Sequence, residues 1–251
     1  MNPEVPLSPL ASRCNLMGYE NAGGYVQVAV MDYYRFIHAM AGVEVPVMSR
    51  HTLNIDLFTL ERVFSSKILG IRYALAHTDE GWRLVRASWY MPRAQLVHRA
   101  RVVPDYRDHL PLVRDPGFNP QEVVLLEQAE PDHLRRLGRR EEGAPERDSV
   151  RIESYGPDRI EILASSASAS YLVLSELFYP GWKVYVDGKR APILRADYLL
   201  RAVPLVAGRH EVVVVYRPTS FMLGLGITAI TLACLAVAWV WSRRKVPAHG
   251  G

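Results

Sequence analysis

The sequence predicts an α+β region followed by a small antiparallel β-sandwich and one C-terminal transmembrane helix. Three observations indicate this fold class: an uncharged apolar run near the C-terminus, a change beyond residue 148 to regularly spaced short strands, and a strong hairpin turn among those strands. We therefore expect five segments, namely an α+β region at 1–128, a linker at 129–148, a β-sandwich at 149–218, a transmembrane helix at 219–242 and a tail at 243–251.

The α+β assignment of the first region depends on a change of period along the chain. Apolar residues recur at helical spacing in the first part of this region, with Gly42 as a stop signal, and alternate or cluster in short runs later. The expected elements are helices at 25–40, 56–70 and 106–113, a hairpin of strands 71–76 and 82–87 with Gly81 at its turn, and strands at 94–102 and 122–126.

The linker is predicted from composition. Residues 129–148 are almost entirely charged or small and show no apolar periodicity, which is typical of a linker or a long loop. The densest basic run, 133–140, lies here and is followed by Glu141 and Glu142, so it indicates a solvated segment. With Lys+Arg 30 against Asp+Glu 26, the net charge of +4 does not predict a nucleic-acid partner.

The sandwich is predicted from short strands that recur every eight to twelve residues. The pair Asp187-Gly188 favours a type I′ hairpin, because that turn needs positive φ at both central residues. Residues 212–215 are apolar on both faces and should form a central strand. The expected strands are 150–154, 159–164, 171–176, 182–186, 191–195, 199–203 and 211–216.

The transmembrane helix is predicted from residues 219–242, which carry no charge and are rich in Leu, Ile, Val, Ala and Phe. At about 1.5 Å per residue, a helix over 221–241 is about 31 Å long and matches a hydrocarbon core of about 30 Å. Trp239 and Trp241 lie at one end, where indole rings favour the interface. A buried core helix normally carries a polar stripe, which this run lacks.

The flanking charges predict the orientation of this helix in the cell membrane. Arg243, Arg244 and Lys245 follow it, whereas Arg217 alone precedes it closely, so the tail should be cytoplasmic and the main region extracytoplasmic. The first twenty residues, however, show neither a basic n-region nor an apolar h-region. Two interpretations stay open: the C-terminal piece of a longer polytopic protein, which we favour, or a cytosolic tail-anchored adaptor.

Cysteine and histidine usage predicts neither a disulfide framework nor a bound cofactor or metal. Cys234 lies within the predicted span and Cys14 near the start, so the two are not expected to pair. The eight histidines show no pair at metal-ligand spacing, and neither His-Glu-x-x-His nor Cys-x-x-Cys occurs.

Three runs of the predicted sandwich are distinctive: Ser-Glu-Leu-Phe-Tyr-Pro-Gly-Trp-Lys-Val-Tyr-Val-Asp-Gly-Lys at 175–189, Ala-Val-Pro-Leu-Val-Ala-Gly-Arg-His-Glu-Val at 202–212 and Tyr-Arg-Pro at 216–218. Together they resemble the C-terminal region of the YfhO family of bacterial membrane proteins. Upstream, Leu-Gly-Ile-Arg-Tyr at 69–73 and Phe-Asn-Pro at 118–120 agree with this resemblance, although Asn119 stands where Asp is expected more often.

The resemblance implies a large polytopic protein, similar to GT-C-type glycosyltransferases that take sugars from polyprenyl-phosphate carriers. The partners would then be the bilayer and a polyprenyl-phosphate-linked sugar or an envelope glycan. In such proteins the acidic catalytic residues lie in loops between early transmembrane helices, which this chain lacks. No catalytic residue is therefore assigned here, and the chain is not expected to be an enzyme by itself.

The residues themselves suggest one binding site. Sugars stack on aromatic rings, so a glycan-contacting platform is conceivable on the sandwich, although the core of a small sandwich also needs these rings, and we favour the core role. The candidate contacts are Trp182, Tyr185, Asp187, Arg190, Tyr198 and Arg201.

Two main functions follow. The first is an accessory module and last membrane anchor of a YfhO-like protein in lipid-linked sugar transfer for envelope glycan assembly. The alternative is a stand-alone, membrane-tethered glycan- or protein-binding β-sandwich without catalysis.

Overall fold

The computed structural model describes residues 31–41, 67–70, 72–78, 81–86 and 90–244. The α-helices in this part of the chain are α1 Met31–Ala41, α2 His109–Val113, α3 Pro131–Arg136 and α4 Thr219–Arg244. The strands are β1 Tyr73–Thr78, β2 Gly81–Arg86, β3 Ala94–Val97, β4 Ala100–Val102, β5 Val124–Leu126, β6 Ser149–Tyr155, β7 Arg159–Ser166, β8 Ser170–Leu174, β9 Trp182–Val186, β10 Lys189–Ala191, β11 Leu194–Ala196, β12 Leu200–Leu205 and β13 Gly208–Tyr216. Single 3₁₀ turns occur at Lys67–Leu69 and Tyr106–Asp108.

Two large sheets dominate the structure. One has the strand order β10-β9-β13-β7-β6 and is antiparallel throughout. The other has the order β3-β8-β12-β11-β5-β4, and its only parallel pair among the described strands is β4 with β5. The predicted fold class, an α+β region followed by an antiparallel β-sandwich, is therefore confirmed, and β13 is the central strand that residues 212–215 indicated.

Burial follows the pleat of the strands. On β7 the side chains of Ile160, Ile162 and Ala164 are buried, while alternate residues face outward, as the period of two requires. These residues pack in one core with apolar side chains of the other sheet, among them Leu172 and Val203. The two sheets therefore form a sandwich around this core.

The six-stranded sheet has a second core on its other face. Phe36 of α1 and Val113 of α2 pack there with Tyr171 and Val173 of β8 and with Ala202 of β12. Strand β8 is buried at every position because it lies between both cores. The helical layer therefore covers one face of the sheet that completes the sandwich on its other face.

Strands from both halves of the chain share the six-stranded sheet. Strand β3 pairs with β8 at one edge, and β5 pairs with β11 near the other. The single strand expected at 94–102 is wrong: β3 and β4 are separate and lie at opposite edges of the sheet. Likewise, the strand expected at 191–195 divides into β10 and β11, which belong to different sheets, because the chain crosses between them at Pro192 and Ile193.

Other local predictions are confirmed. Strands β1 and β2 form the expected hairpin, and the turn between β9 and β10 has positive φ at both Asp187 (51°) and Gly188 (75°).

The segment 129–148, expected as a linker, contains α3. Residues 25–30 and 56–66, where helices were predicted, and the tail from 245 lie outside the described residues.

Helix α4 stands apart from both cores. Its segment Thr219–Trp241 is long and apolar enough to cross a membrane, and none of it is buried within the protein. A core helix would bury an apolar face against its neighbours, whereas α4 exposes apolar side chains all round. The predicted C-terminal apolar helix is therefore confirmed.

Candidate functional site

Five side chains meet at the end of the sandwich from which β13 leads into α4, and we call them the arginine cluster. Antiparallel pairing brings them together: Ala94 and Arg201 both lie opposite Leu174 of β8, so residues next to these positions share one end of the sheet. The cluster consists of Arg93 before β3, Tyr155 at the end of β6, Glu176 after β8, Trp182 at the start of β9 and Arg201 on β12.

Arg201 is the most deeply buried member, with only 3% of its surface exposed. Its Nε donates a hydrogen bond to the Leu177 carbonyl oxygen at 2.7 Å, and its guanidinium carbon lies 4.1 Å from the centre of the Trp182 ring. Its Nη1 atom is buried without a hydrogen-bond partner. Burial lowers the pKa of Arg201 to about 10, although Glu176 and Tyr155 act to raise it, so the side chain stays charged at neutral pH.

Glu176 is the carboxylate of the cluster. Its Oε1 accepts hydrogen bonds from Arg93 Nη1 at 2.5 Å and from the Tyr155 hydroxyl at 2.6 Å. The Arg93 guanidinium also lies 4.4 Å from the centre of the Tyr155 ring. Burial, reinforced by the hydrogen bond to Glu176, raises the pKa of Tyr155 to about 12, so its hydroxyl stays neutral and can donate. Within the cluster, two guanidinium groups therefore face one carboxylate.

Trp182 connects the cluster to the start of α4. Its ring centre lies 5.2 Å from that of Tyr216, the last residue of β13, and the Arg217 amide donates to the Gly181 carbonyl at 2.7 Å. Gly181 has φ of +103°, and a Cβ atom there would lie 2.8 Å from Tyr216 Cε2 and 3.2 Å from Pro218. Only glycine fits this position without displacing Tyr216 and Pro218. Trp182, the next residue, is therefore held closely against the start of α4.

Three other candidate contacts lie on the hairpin of β9 and β10. Tyr185 is opposite Arg190 in the strand register and alternates with the inward-facing Val184. Asp187 accepts hydrogen bonds from His210 Nδ1 at 2.7 Å and from the Glu211 amide at 2.9 Å. Burial tends to raise the pKa of Asp187, but these hydrogen bonds outweigh it, and the net pKa is lowered. Asp187 therefore fixes the hairpin onto β13.

Tyr198, the sixth candidate contact, lies in the core between the six-stranded sheet and α1. It is 2% exposed, and its ring centre is 6.2 Å from that of Phe36 and 5.7 Å from that of Tyr106. The six candidates thus occupy three places: the arginine cluster, the β9–β10 hairpin and the core under α1. Trp182 and Arg201 meet in the arginine cluster, and Tyr185 and Arg190 lie opposite each other on the hairpin, but the structure does not bring all six together.

A buried acid next to Tyr198 was not foreseen from the sequence. Asp197 is fully buried and has φ of 45°; its Oδ1 accepts from the Leu125 amide at 2.8 Å, while its Oδ2 has no partner. Burial raises its pKa to about 7.

His109 is a second buried titratable group near Tyr198. The Tyr198 amide donates to His109 Nδ1 at 3.3 Å, and His109 Nε2 donates to the Val103 carbonyl, which defines a neutral imidazole. Burial correspondingly lowers the pKa of His109.

A hydroxyl, an imidazole and a carboxylate also line up at the opposite end of the sandwich. Ser168 Oγ is 2.8 Å from His98 Nδ1, and His98 Nε2 is 2.6 Å from Asp148 Oδ2. This order resembles that of activated serine nucleophiles. However, Ser168 is buried, and Asp148 Oδ1 also accepts from the Ala167 amide at 2.9 Å, so the three side chains are best suited to fasten the loop at 167–169. Their separation along the chain hides this arrangement from sequence inspection.

Within the described residues, no group of three or more His, Cys, Asp or Glu side chains lies close enough to hold a metal ion.

Comparison with known proteins bears on the C-terminal part of the chain. No curated protein and no solved structure matches the chain. Residues 146–228 match the family model described as bacterial membrane protein YfhO. This segment includes β6 to β13 and the start of α4, and therefore every member of the arginine cluster except Arg93. The resemblance expected from the sequence is thus confirmed for this part of the protein: residues 146–228 are similar to the family described as bacterial membrane protein YfhO.

Proposed function

We propose that this chain is the extracytoplasmic accessory module and last membrane anchor of a YfhO-like polytopic protein, which transfers lipid-linked sugars during assembly of an envelope glycan. The junction between the sandwich and α4 carries this proposal. Strand β13 ends at Tyr216 and α4 begins at Thr219, with Gly181 and Pro218 packed closely between them. So short and tightly packed a connection holds the sandwich at the bilayer surface.

The charges at the ends of α4 support the proposed orientation. Arg243 and Arg244 follow the apolar segment, whereas Arg217 alone precedes it closely. Positively charged residues are retained preferentially on the cytoplasmic side, so the sandwich would face outward.

An accessory role suits the chemistry of the cluster better than a catalytic one. A general base needs a carboxylate that is free to take a proton from the substrate. Glu176 Oε1 already accepts hydrogen bonds from Arg93 and Tyr155, so this carboxylate mainly positions those two side chains. Sugar transfer itself would then depend on residues of the parent protein, while this module shapes the path of the acceptor.

A second candidate function is a stand-alone, membrane-tethered module that binds a glycan or a protein. The adjacent side chains of Tyr185 and Arg190 on the outer face of the β9–β10 hairpin favour it, because an aromatic ring beside a cation can contact a sugar. This function needs no parent protein, and the two proposals therefore predict different genetic phenotypes.

The orientation can be tested by labelling single cysteines in intact cells with a membrane-impermeant maleimide. In a C14S/C234S background, Arg190→Cys on the sandwich should react in intact cells. The matched variant Arg244→Cys at the far end of α4 should react only after permeabilisation. The reverse pattern would contradict the proposed orientation.

The role in sugar transfer can be tested by deleting the coding sequence for this chain and analysing envelope glycans. Loss of one sugar substituent would support the accessory function. An unchanged sugar composition, together with reduced retention of a glycan or protein at the cell surface, would favour the stand-alone binding module instead.

A further inference from the structure

The guanidinium group of Arg201 is incompletely satisfied within the protein. Its Nε donates to the Leu177 carbonyl, but its Nη1 is buried without a partner. Buried donors are nearly always hydrogen-bonded, so an orphaned nitrogen on a charged side chain requires an explanation. An acceptor supplied by a ligand would provide it.

The charges around Arg201 indicate an anionic ligand. Arg93 and Arg201 carry two positive charges, and the shared carboxylate of Glu176 balances one of them. The face of Trp182 holds the Arg201 guanidinium, which limits the orientation of its remaining donors. A planar, preoriented guanidinium is well matched to the oxygens of a phosphate group.

The position of the cluster indicates where this anion would come from. Arg201 stacks on Trp182, Trp182 packs on Tyr216, and α4 begins three residues after Tyr216. At about 3.3 Å per extended residue, Tyr216 lies at most roughly 10 Å from the start of the membrane helix, and Trp182 and Arg201 follow it in contact. The layer of lipid headgroups is about 5–8 Å deep on each side of the hydrocarbon core, so the cluster borders this layer.

We propose that the arginine cluster binds the phosphate group of a membrane lipid, with Arg201 Nη1 donating to a phosphate oxygen. Tyr155, 44% exposed, and Arg93, half-buried, form the rim through which the phosphate enters. This inference rests on the proposed membrane-attached role in lipid-linked sugar transfer and assigns to it a contact with the lipid. A phospholipid and an isoprenoid carrier could both present such a phosphate.

The proposal can be tested by titrating the full chain in a mild nonionic detergent. The probes are dioctanoyl phosphatidic acid and farnesyl phosphate, each compared with the same lipid lacking phosphate, dioctanoylglycerol and farnesol, and with inorganic phosphate. Both lipid phosphates should bind more tightly than their phosphate-free counterparts and than inorganic phosphate. Tighter binding of farnesyl phosphate identifies an isoprenoid carrier as the source, and tighter binding of phosphatidic acid identifies a phospholipid.

Two substitutions separate the phosphate site from simple partitioning of the lipid tail. Arg201→Gln should weaken binding of the lipid phosphates on the order of tenfold or more, because it removes a charge-assisted hydrogen bond. Glu176→Gln should strengthen binding several-fold, because it removes the carboxylate that competes for the two guanidinium groups. Misfolding would expose apolar surface and raise affinity for lipids with and without phosphate alike, so a gain confined to the lipid phosphates keeps the test valid if Arg201→Gln folds poorly. Arg209→Gln, exposed near the start of β13 in the other sheet and far from the cluster, is the matched control and should bind like the wild type.

Three results would overturn the proposal: equal affinity for lipids with and without phosphate, unchanged affinity in folded Arg201→Gln, or weaker or unchanged binding by Glu176→Gln. The titration in detergent does not depend on which side of the membrane the sandwich faces, nor on sugar transfer. Failure of the orientation or glycan experiments would therefore leave its result interpretable, and the reverse also holds.

Discussion

Asp197 is expected to make the stability of the protein depend on pH in a direction opposite to that of most carboxylates. Its side chain is fully buried, accepts one hydrogen bond at Oδ1 and has none at Oδ2. Burial raises its pKa from 3.8 to about 7 in the folded protein. The folded state therefore favours the protonated acid, and ionisation of Asp197 destabilises it.

The sign and size of the effect follow from linkage. Well below pH 3.8 the carboxyl is protonated in both the folded and the unfolded state, and it carries no penalty. As the pH rises from about 4 to about 7, the unfolded state releases the proton first, so the free energy of unfolding falls, and it levels off above pH 7. At about 1.4 kcal/mol per pKa unit, the total penalty is on the order of 4 kcal/mol.

Replacing Asp197 by Asn should remove this penalty. The Asn carbonyl can still accept from the Leu125 amide, and the side chain cannot ionise. The variant is expected to be no more stable than the wild type at pH 4, because its buried amide nitrogen inherits the unpartnered position of Oδ2. Relative to the wild type, it should gain on the order of 4 kcal/mol between pH 4 and pH 8.

The assay is urea unfolding of the full chain in detergent at several pH values, followed by far-ultraviolet circular dichroism. Asp187→Asn is the control of opposite sign: the pKa of Asp187 is lowered, so its loss should destabilise the protein at pH 7 and have little effect at low pH. Parallel pH profiles for the wild type and Asp197→Asn would refute the reasoning, since they would mean that Asp197 is solvated in the folded protein.

Two further substitutions test the packing around the arginine cluster. Gly181→Ala should lower the free energy of unfolding by about 2–4 kcal/mol, because its Cβ would meet Tyr216 at 2.8 Å. The control Gly188→Ala has open space around its Cβ site and should lose only about 1 kcal/mol from its positive φ. Equal losses in urea unfolding would contradict the contact between Gly181 and Tyr216. Trp182→Ala should lower the free energy of unfolding by about 3 kcal/mol and weaken lipid-phosphate binding, because the ring packs on Tyr216 and Arg201. The control Tyr185→Ala, on the outer face of the sheet, should change the unfolding midpoint little. Full stability of Trp182→Ala would show instead that the ring is not part of the packing.

Features that depend on neighbouring residues could be predicted from the sequence alone. The apolar segment of α4 is recognisable because a bilayer requires about twenty consecutive apolar residues whatever surrounds them. The turn at Asp187 and Gly188 is recognisable because positive φ at two adjacent positions is a local demand on residue type. The alternation on β7 likewise reports burial of one face of one strand.

Contacts between distant segments, by contrast, could be known only from the folded structure. The division of 94–102 into two strands at opposite edges of one sheet depends on pairing with β8 and β5, which no local pattern encodes. The same holds for the candidate site: Arg93, Tyr155, Glu176 and Arg201 come from four separate segments, and each alone resembles an ordinary surface residue.

Burial of the polar side chains was the least predictable property. Arg201 and Asp197 lie in segments whose composition does not distinguish them from exposed charged residues. The environment of a side chain is set by the surfaces packed against it, and here those surfaces belong to strands far away along the chain. The unpartnered atoms that motivate both the lipid-phosphate site and the pH dependence therefore exist only in the folded protein, because burial away from water is what leaves them without an acceptor or a donor.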